Sequence, residues 1–359
     1  MANLSILSDE ESWNKAMSRL LEPSVLCSYS MVNAGTLLFP GDKAVAEAVV
    51  YEENGEILFY PYIKRPCPYL SDWFDICSAY EFGGFWFSTE DAAVCNQLMR
   101  RFETEFREYA LKAHIVSEFI RIDPFCKIGS IEWQEYELSQ SGQHIVIPTQ
   151  SGEKSIWHEL FGTRRTDIRW AQKNKLRMEF SDDVKTFTEI YYKRLDALNS
   201  YQFYYFPEAY LERIPFKQIV FVYDNHNEIC GAYVWIQDHK NLFYFLSADV
   251  AEKRPLRPSS FAIYEMCKWA CANGVEYIHL GGGAETLYHF KSLFSPHRVN
   301  YYLAKRIINQ AAYEEMVVQH KSFKGELTNK GYFPLYRLDT AISHSLTNMR
   351  RYTATQSEM

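Results

Sequence analysis

Two apolar-rich runs stand on either side of Asn54-Gly55. Residues 46–51 (AEAVVY) and 57–62 (ILFYPY) flank this dipeptide, whose left-handed preference closes a tight turn, so a β-hairpin is predicted there. Farther along, the apolar runs 218–223, 231–237 and 243–247 are separated by Asp224-Asn225-His226-Asn227 and Asp238-His239-Lys240-Asn241. That spacing predicts an antiparallel meander. Helical periodicity marks other segments: a capped helix after Ser8-Asp9 carrying Trp13, Met17 and Leu20-Leu21, a long charged helix over 89–112, a basic helix over 166–175, another over 186–198, and one over 261–273 that Gly274 stops.

The order of these elements occurs twice. Hairpin, Gly-bearing loop (75–87), helix and strand (115–122) in the first half match meander, Pro-bearing loop (253–260), helix and strand (277–280) in the second. This succession predicts an α/β (α+β) chain of two related domains, each a mixed, mostly antiparallel sheet flanked by helices. Residues 139–155 are polar apart from one short strand, which places the boundary near residue 150 and the domains at 1–150 and 151–359.

Length supports two cores, since 359 residues exceed the usual size of one. Net charge is −7, which excludes the overall basic footprint of a DNA-binding protein. Eight Cys occur without a CxxC pair, and Cys267 and Cys271, at helical spacing, have no His or second pair nearby. Reduced thiols of a cytoplasmic protein and no metal site are therefore expected. No stretch of about 18 apolar residues is present and the N-terminus lacks a signal-peptide pattern, so no membrane span is expected.

Leu280-Gly281-Gly282-Gly283 followed by Ala284–Phe294, with Leu287 and Phe290-Lys291, resembles the LGGG…L..FK..F signature of the FemABX-like transferases. These are tandem GNAT-fold proteins that include the peptidoglycan bridge-forming enzymes. Thr163–Asn174 resembles the basic helical segment of the same group, Asp75–Tyr80 before Gly83-Gly84 resembles a loop of its N-terminal domain, and Gly331–Arg337 its closing strand. The resemblance implies two GNAT-like domains facing each other over a cleft. It also implies transfer of an acyl or aminoacyl group to an amine, without a metal or a tightly bound cofactor, on a small molecule or a cell-envelope glycan or peptidoglycan precursor. Two departures bear on the donor. The helical-hairpin insertion with which some members grip transfer RNA is not evident, and where acetyl-CoA enzymes carry a Gly-bearing phosphate loop this chain has Arg254-Pro255-Leu256-Arg257-Pro258-Ser259-Ser260. Acyl-CoA ranks narrowly ahead of aminoacyl-tRNA and carrier-bound donors, and a non-catalytic ligand-binding protein is the remaining alternative.

Acyl transfer to an amine needs a neutral amine, a stabilised oxyanion and a proton for the leaving group. Lys291 is the candidate for the oxyanion, and Tyr288, one helical turn earlier, is the candidate proton donor. Arg254, Arg257, Ser259 and Ser260 precede a helix start and suit the phosphates of an acyl-CoA co-substrate. Gly282 permits close approach of a substrate, and Phe290 accompanies Lys291. Arg165, Arg169 and Lys173 share a helical face that suits an acceptor's phosphate or carboxylate. Asp75, Tyr80 and Arg121 are expected to bind acceptor, with Glu118 paired to Arg121, while His279 reads as a hydrogen-bonded core residue.

Overall fold

A computed structural model describes residues 3–338 apart from 40, 42, 127 and 325–331. It divides into two compact units, Met1–Gly142 with the chain from Asn300 onward, and Gln143–Val299.

The first unit begins with β1 (Asn3–Leu7) and α1 (Glu10–Met17), where Asp9 accepts from the Ser12 amide at 2.8 Å and so caps the helix. Then follow α2 (Tyr29–Thr36), β2 (Val45–Glu53) and β3 (Glu56–Pro66). Asn54 and Gly55 both have positive φ (53° and 88°), the geometry of a two-residue primed turn, and this sets the register Glu53↔Glu56 through Val45↔Lys64. After β4 (Phe74–Cys77) and β5 (Trp86–Phe87), α3 (Ala92–Lys112) buries Leu98, Met99, Phe102, Phe106 and Ala110 at three- and four-residue spacing. It leads to β6 (Ile115–Arg121). The strand order is β1-β2-β3-β4-β6, antiparallel except for the parallel β4/β6 pair that α3 crosses.

The polar boundary segment, expected to hold one short strand, contains the longer β7 (Glu137–Pro148). The second unit continues with α4 (Gly152–Glu159), α5 (Gly162–Lys173), β8 (Arg177–Ser181), α6 (Val184–Ala197), α7 (Glu208–Arg213), β9 (Lys217–Tyr223), β10 (Ile229–Asp238) and β11 (Asn241–Asp249). Next come α8 (Pro258–Ala272), β12 (Tyr277–Gly281) and α9 (Glu285–Ser292). Its order is β8-β9-β10-β11-β12-β7, again antiparallel except for one parallel pair, β11/β12, crossed by α8. Next come β13 (Arg298–Ile307), which pairs antiparallel with β6, and α10 (Gln310–Lys324).

The repeated topology agrees with the sequence reading, but a single cut at residue 150 does not describe the units. The strand after β6 pairs with β12, and the strand after α9 pairs with β6. Each unit therefore takes its last strand from the segment that follows the other's crossover, and residues 300–338 belong to the first unit rather than the second. A closing strand at 331–337 is also not found. Gly331 lies outside the described residues, and Leu335–Arg337 is a single 3₁₀ turn.

Three carboxylates, Asp75, Glu103 and Glu118, are buried in the first unit. Glu118 takes Nε and Nη2 of Arg306 at 3.0 and 2.7 Å and the Tyr136 hydroxyl at 2.8 Å. The expected Glu118–Arg121 pair is thus replaced by Glu118–Arg306, because the two residues face each other across β6/β13. Glu103 is 1% exposed, and burial raises its pKa to about 7 against a bond from the Glu135 amide. A carboxyl with a raised folded-state pKa holds its proton longer when folded, so stability falls as pH rises from its unfolded value of 4.5 to about 7 and the loss is then constant. Glu103→Gln is expected to match the parent in thermal midpoint near pH 4.5 and to exceed it increasingly up to pH 7. A difference independent of pH would contradict this assignment.

Candidate functional site

In the second unit, β11 and β12 pair only from Asn241↔Tyr277 to Phe243↔His279. Farther along β11, Tyr244, Ser247 and Asp249 line a cavity of about 380 Å³. Arg164 and Asp167 of α5, Arg194 of α6, Arg254 and Arg257 before α8, Ser259 and Ser260 in its first turn, and Leu287 and Phe290 of α9 complete the lining. The four residues singled out as a phosphate site and Phe290 are thus brought together. Arg164, Asp167, Arg194 and Asp249 were not foreseen: Asp249 ends a strand that reads as core, and Arg194 is one cation among several on an amphipathic helix.

The turn before α8 forms without a glycine. Arg257 adopts the left-handed conformation (φ 65°, ψ 43°) that a glycine would ordinarily take. Pro258 then opens the helix at a position whose amide has no helical partner anyway. The amides of Ser259 and Ser260 follow in the first turn, where N–H groups lack intrahelical acceptors. Around them Asp167 holds Arg164 (3.0 Å) and Arg257 (3.3 Å), and Arg164 donates to Ser260 Oγ at 3.1 Å while lying 4.8 Å over the Phe290 ring. Asp249 Oδ1 accepts from Tyr233 and Ser259, each at 2.6 Å. Burial raises the Asp249 pKa against these two bonds and against Arg254 and Arg194. Four guanidiniums and two carboxylates leave the lining with an excess of positive charge, which suits a ligand bearing about two negative charges.

Lys291 is buried, its Nζ donating to the Gly282 carbonyl at 2.8 Å and lying 5.8 Å from the centroid of Tyr244, a cavity residue. Beside it His144 Nδ1 and His279 Nε2 are 3.0 Å apart. Burial, then the Lys291 charge, pushes His144 down to about 3; burial, then His144 and Lys291, depresses His279 as well. Both rings are therefore neutral near pH 7. His279 is the hydrogen-bonded core residue expected, but its partner His144 was not foreseen, because it lies in the polar segment taken for the domain boundary. A Cβ on Gly282 would come within 2.9 Å of the His144 ring, so glycine here permits close packing of that ring. Tyr288 is half-buried against the core, with the Arg298 guanidinium 6.0 Å from its ring centroid.

The other candidates are engaged elsewhere. Asp75, in the first unit, is buried and bonded to Arg65 (2.7 Å), Arg337 (2.5 Å) and the Tyr336 hydroxyl (3.1 Å), a set that satisfies its carboxylate internally. Arg121 lies over the rings of Phe119 and Tyr80, at 5.2 and 5.7 Å. On α5, Arg165 donates to the carbonyls of His158 and Leu160, fastening α4 to α5, and Arg169 lies 5.2 Å over Trp157. Among the described residues no group of three or more His, Cys, Asp or Glu is arranged to hold a metal, and no helix is long and apolar enough to cross a membrane.

Residues 164–292 match the family described as acetyltransferase (GNAT) domain, a span lying wholly within the second unit. This segment is similar to GNAT-type acetyltransferase domains. Among solved structures the chain shares its fold with FemX, at TM-score 0.66 and 12% identity over 87% of this chain and 99% of that one. A conserved protein of unknown function from Bacteroides thetaiotaomicron gives 0.53 and 10%, over 85% and 100%. L-PGS from Bacillus licheniformis gives 0.51 and 12%, over 83% and 92%. No curated protein matches the chain in sequence. The matched segment thus sits in a chain that shares the fold of the FemX structure over 87% of its length, with mixed strands and flanking helices in each unit.

Proposed function

We propose that the GNAT domain transfers an acyl group from an acyl-CoA thioester to the amino group of a small molecule or a cell-envelope precursor in the cytoplasm. The observation that carries this reading is the cavity at the start of α8, lined by the left-handed Arg257, by Ser259 and Ser260 of the helix's first turn and by four arginines in all. Such a helix start accepts phosphate through its amides and its dipole. Beyond it, the residues of β11 past Phe243 border the cavity instead of continuing the parallel ladder, which supplies a strand edge for the amides of an extended carrier arm.

In this reading the acceptor ammonium first loses a proton to solvent. Its nitrogen attacks the thioester carbonyl, forming C–N, and the tetrahedral intermediate expels the thiolate by breaking C–S. The thiolate takes a proton from Tyr288, which recovers it from the amide-forming nitrogen. The Lys291 ammonium, behind Tyr244, favours the oxyanion electrostatically and fixes the Gly282 turn. Aminoacyl-tRNA is the second reading, because the same guanidiniums suit the phosphates of a nucleic-acid terminus.

Titration of CoA into the parent and into the Arg254→Ala/Arg257→Ala variant tests the assignment. Charge-assisted hydrogen bonds contribute about 1.5–3 kcal/mol each, so affinity is expected to fall about tenfold or more. Equal affinity for the two proteins would remove this cavity from donor binding.

A further inference from the structure

The arginines account for an anion, but they do not account for a carboxylate kept among them. Asp249 lines the cavity together with Arg194 and Arg254, whose charges act on it, and is held in place through Oδ1 by Tyr233 and Ser259. Among the described residues no hydrogen bond to Oδ2 is found, and Oδ2 is not one of the sealed-off polar atoms lacking a partner, so it opens to the cavity. An ionised carboxylate oxygen only accepts hydrogen bonds. Placed beside a phosphate it repels the phosphate, and that cost is offset only when the ligand brings a donor to it.

We propose that Asp249 is a specificity-determining residue, whose Oδ2 accepts a hydrogen bond from a hydroxyl or amide N–H a few bonds from the donor's phosphates. It rejects anions that lack such a group. The inference rests on the proposed phosphate-bearing donor and sharpens it: the cavity takes a phosphorylated carrier with a neighbouring O–H or N–H, and discriminates against inorganic pyrophosphate. Tyr233 and Ser259 act as positioning residues, aiming the carboxylate by fixing its other oxygen.

Asp249→Asn separates this role from a structural one, because the amide oxygen still accepts from Tyr233 and Ser259 while an NH2 group replaces Oδ2. CoA and inorganic pyrophosphate are titrated into the parent and the variant, with thermal midpoints recorded without ligand. CoA affinity is expected to fall about tenfold while pyrophosphate binding is unchanged or tighter, since a negative charge has left the site. Loss of both affinities in equal measure would make Asp249 a structural residue and overturn the proposal. A gain in both would reduce it to an electrostatic penalty and overturn it as well. A parent that binds pyrophosphate but not CoA would instead sink the CoA reading, and the proposed specificity with it.

Discussion

Lys291→Met is expected to lower the rate of acyl transfer by about 10²–10³-fold, the usual consequence of removing a preorganised positive group from a developing oxyanion. Methionine preserves most of the buried stem, so the folded protein is expected to persist with a modest loss from the missing bond to the Gly282 carbonyl. Lys291→Arg tests position rather than charge. The Nζ sits within 3.5 Å of where a Cβ on Gly281 would lie, leaving little room for a guanidinium, so arginine is expected to restore only a small part of the rate. Release of free thiol from acyl-CoA in the presence of an amine acceptor measures all three proteins. A methionine variant as fast as the parent would leave Lys291 with only its structural tie.

The largest stability effect is expected in the first unit. Arg306→Met strands the Glu118 carboxylate, which is 0% exposed and keeps the Tyr136 hydroxyl as a hydrogen-bond donor. Breaking one side of a buried ion pair costs about 3–5 kcal/mol. At about 2–4 °C per kcal/mol for a unit of this size, the thermal midpoint is expected to drop by roughly 10 °C. Glu118→Gln combined with Arg306→Met removes both charges, and most of the loss is expected to be recovered. If the double variant is no more stable than Arg306→Met alone, the cost lies in lost packing of the guanidinium over Tyr136 and Phe106, at 4.4 and 5.5 Å, rather than in the stranded charge.

Where local chemistry decides an element, the sequence was sufficient. Asn54-Gly55 fixes its hairpin, Asp9 its helix, and the polar pairs of turns the β9–β11 meander, because each signal acts over a few residues. Long-range pairing was not legible. The strand β7 is exposed at half of its positions and buried only at Ile145–Ile147, so its pattern reads as one short strand at a boundary until β12 is beside it. The same holds for β13, whose burial comes from β6 far earlier in the chain. At the site, the cluster of Arg254, Arg257, Ser259 and Ser260 was legible because it is contiguous and precedes a helix. Arg164, Arg194 and Asp249 join it only through folding. Arg257 is instructive: a glycine pattern finds nothing at this turn, although the left-handed conformation is present and an arginine occupies it. His144 was hidden for the same reason as β7.

The central claim is that the cavity before α8 receives the phosphates of a CoA-type donor, and thermal unfolding with and without millimolar CoA tests it most directly. A ligand at about 100 times its dissociation constant adds about 2.7 kcal/mol, so a rise in midpoint of several degrees is predicted, and it should be largely absent in the Arg254→Ala/Arg257→Ala variant. No rise in the parent, or an equal rise in the variant, would contradict the claim.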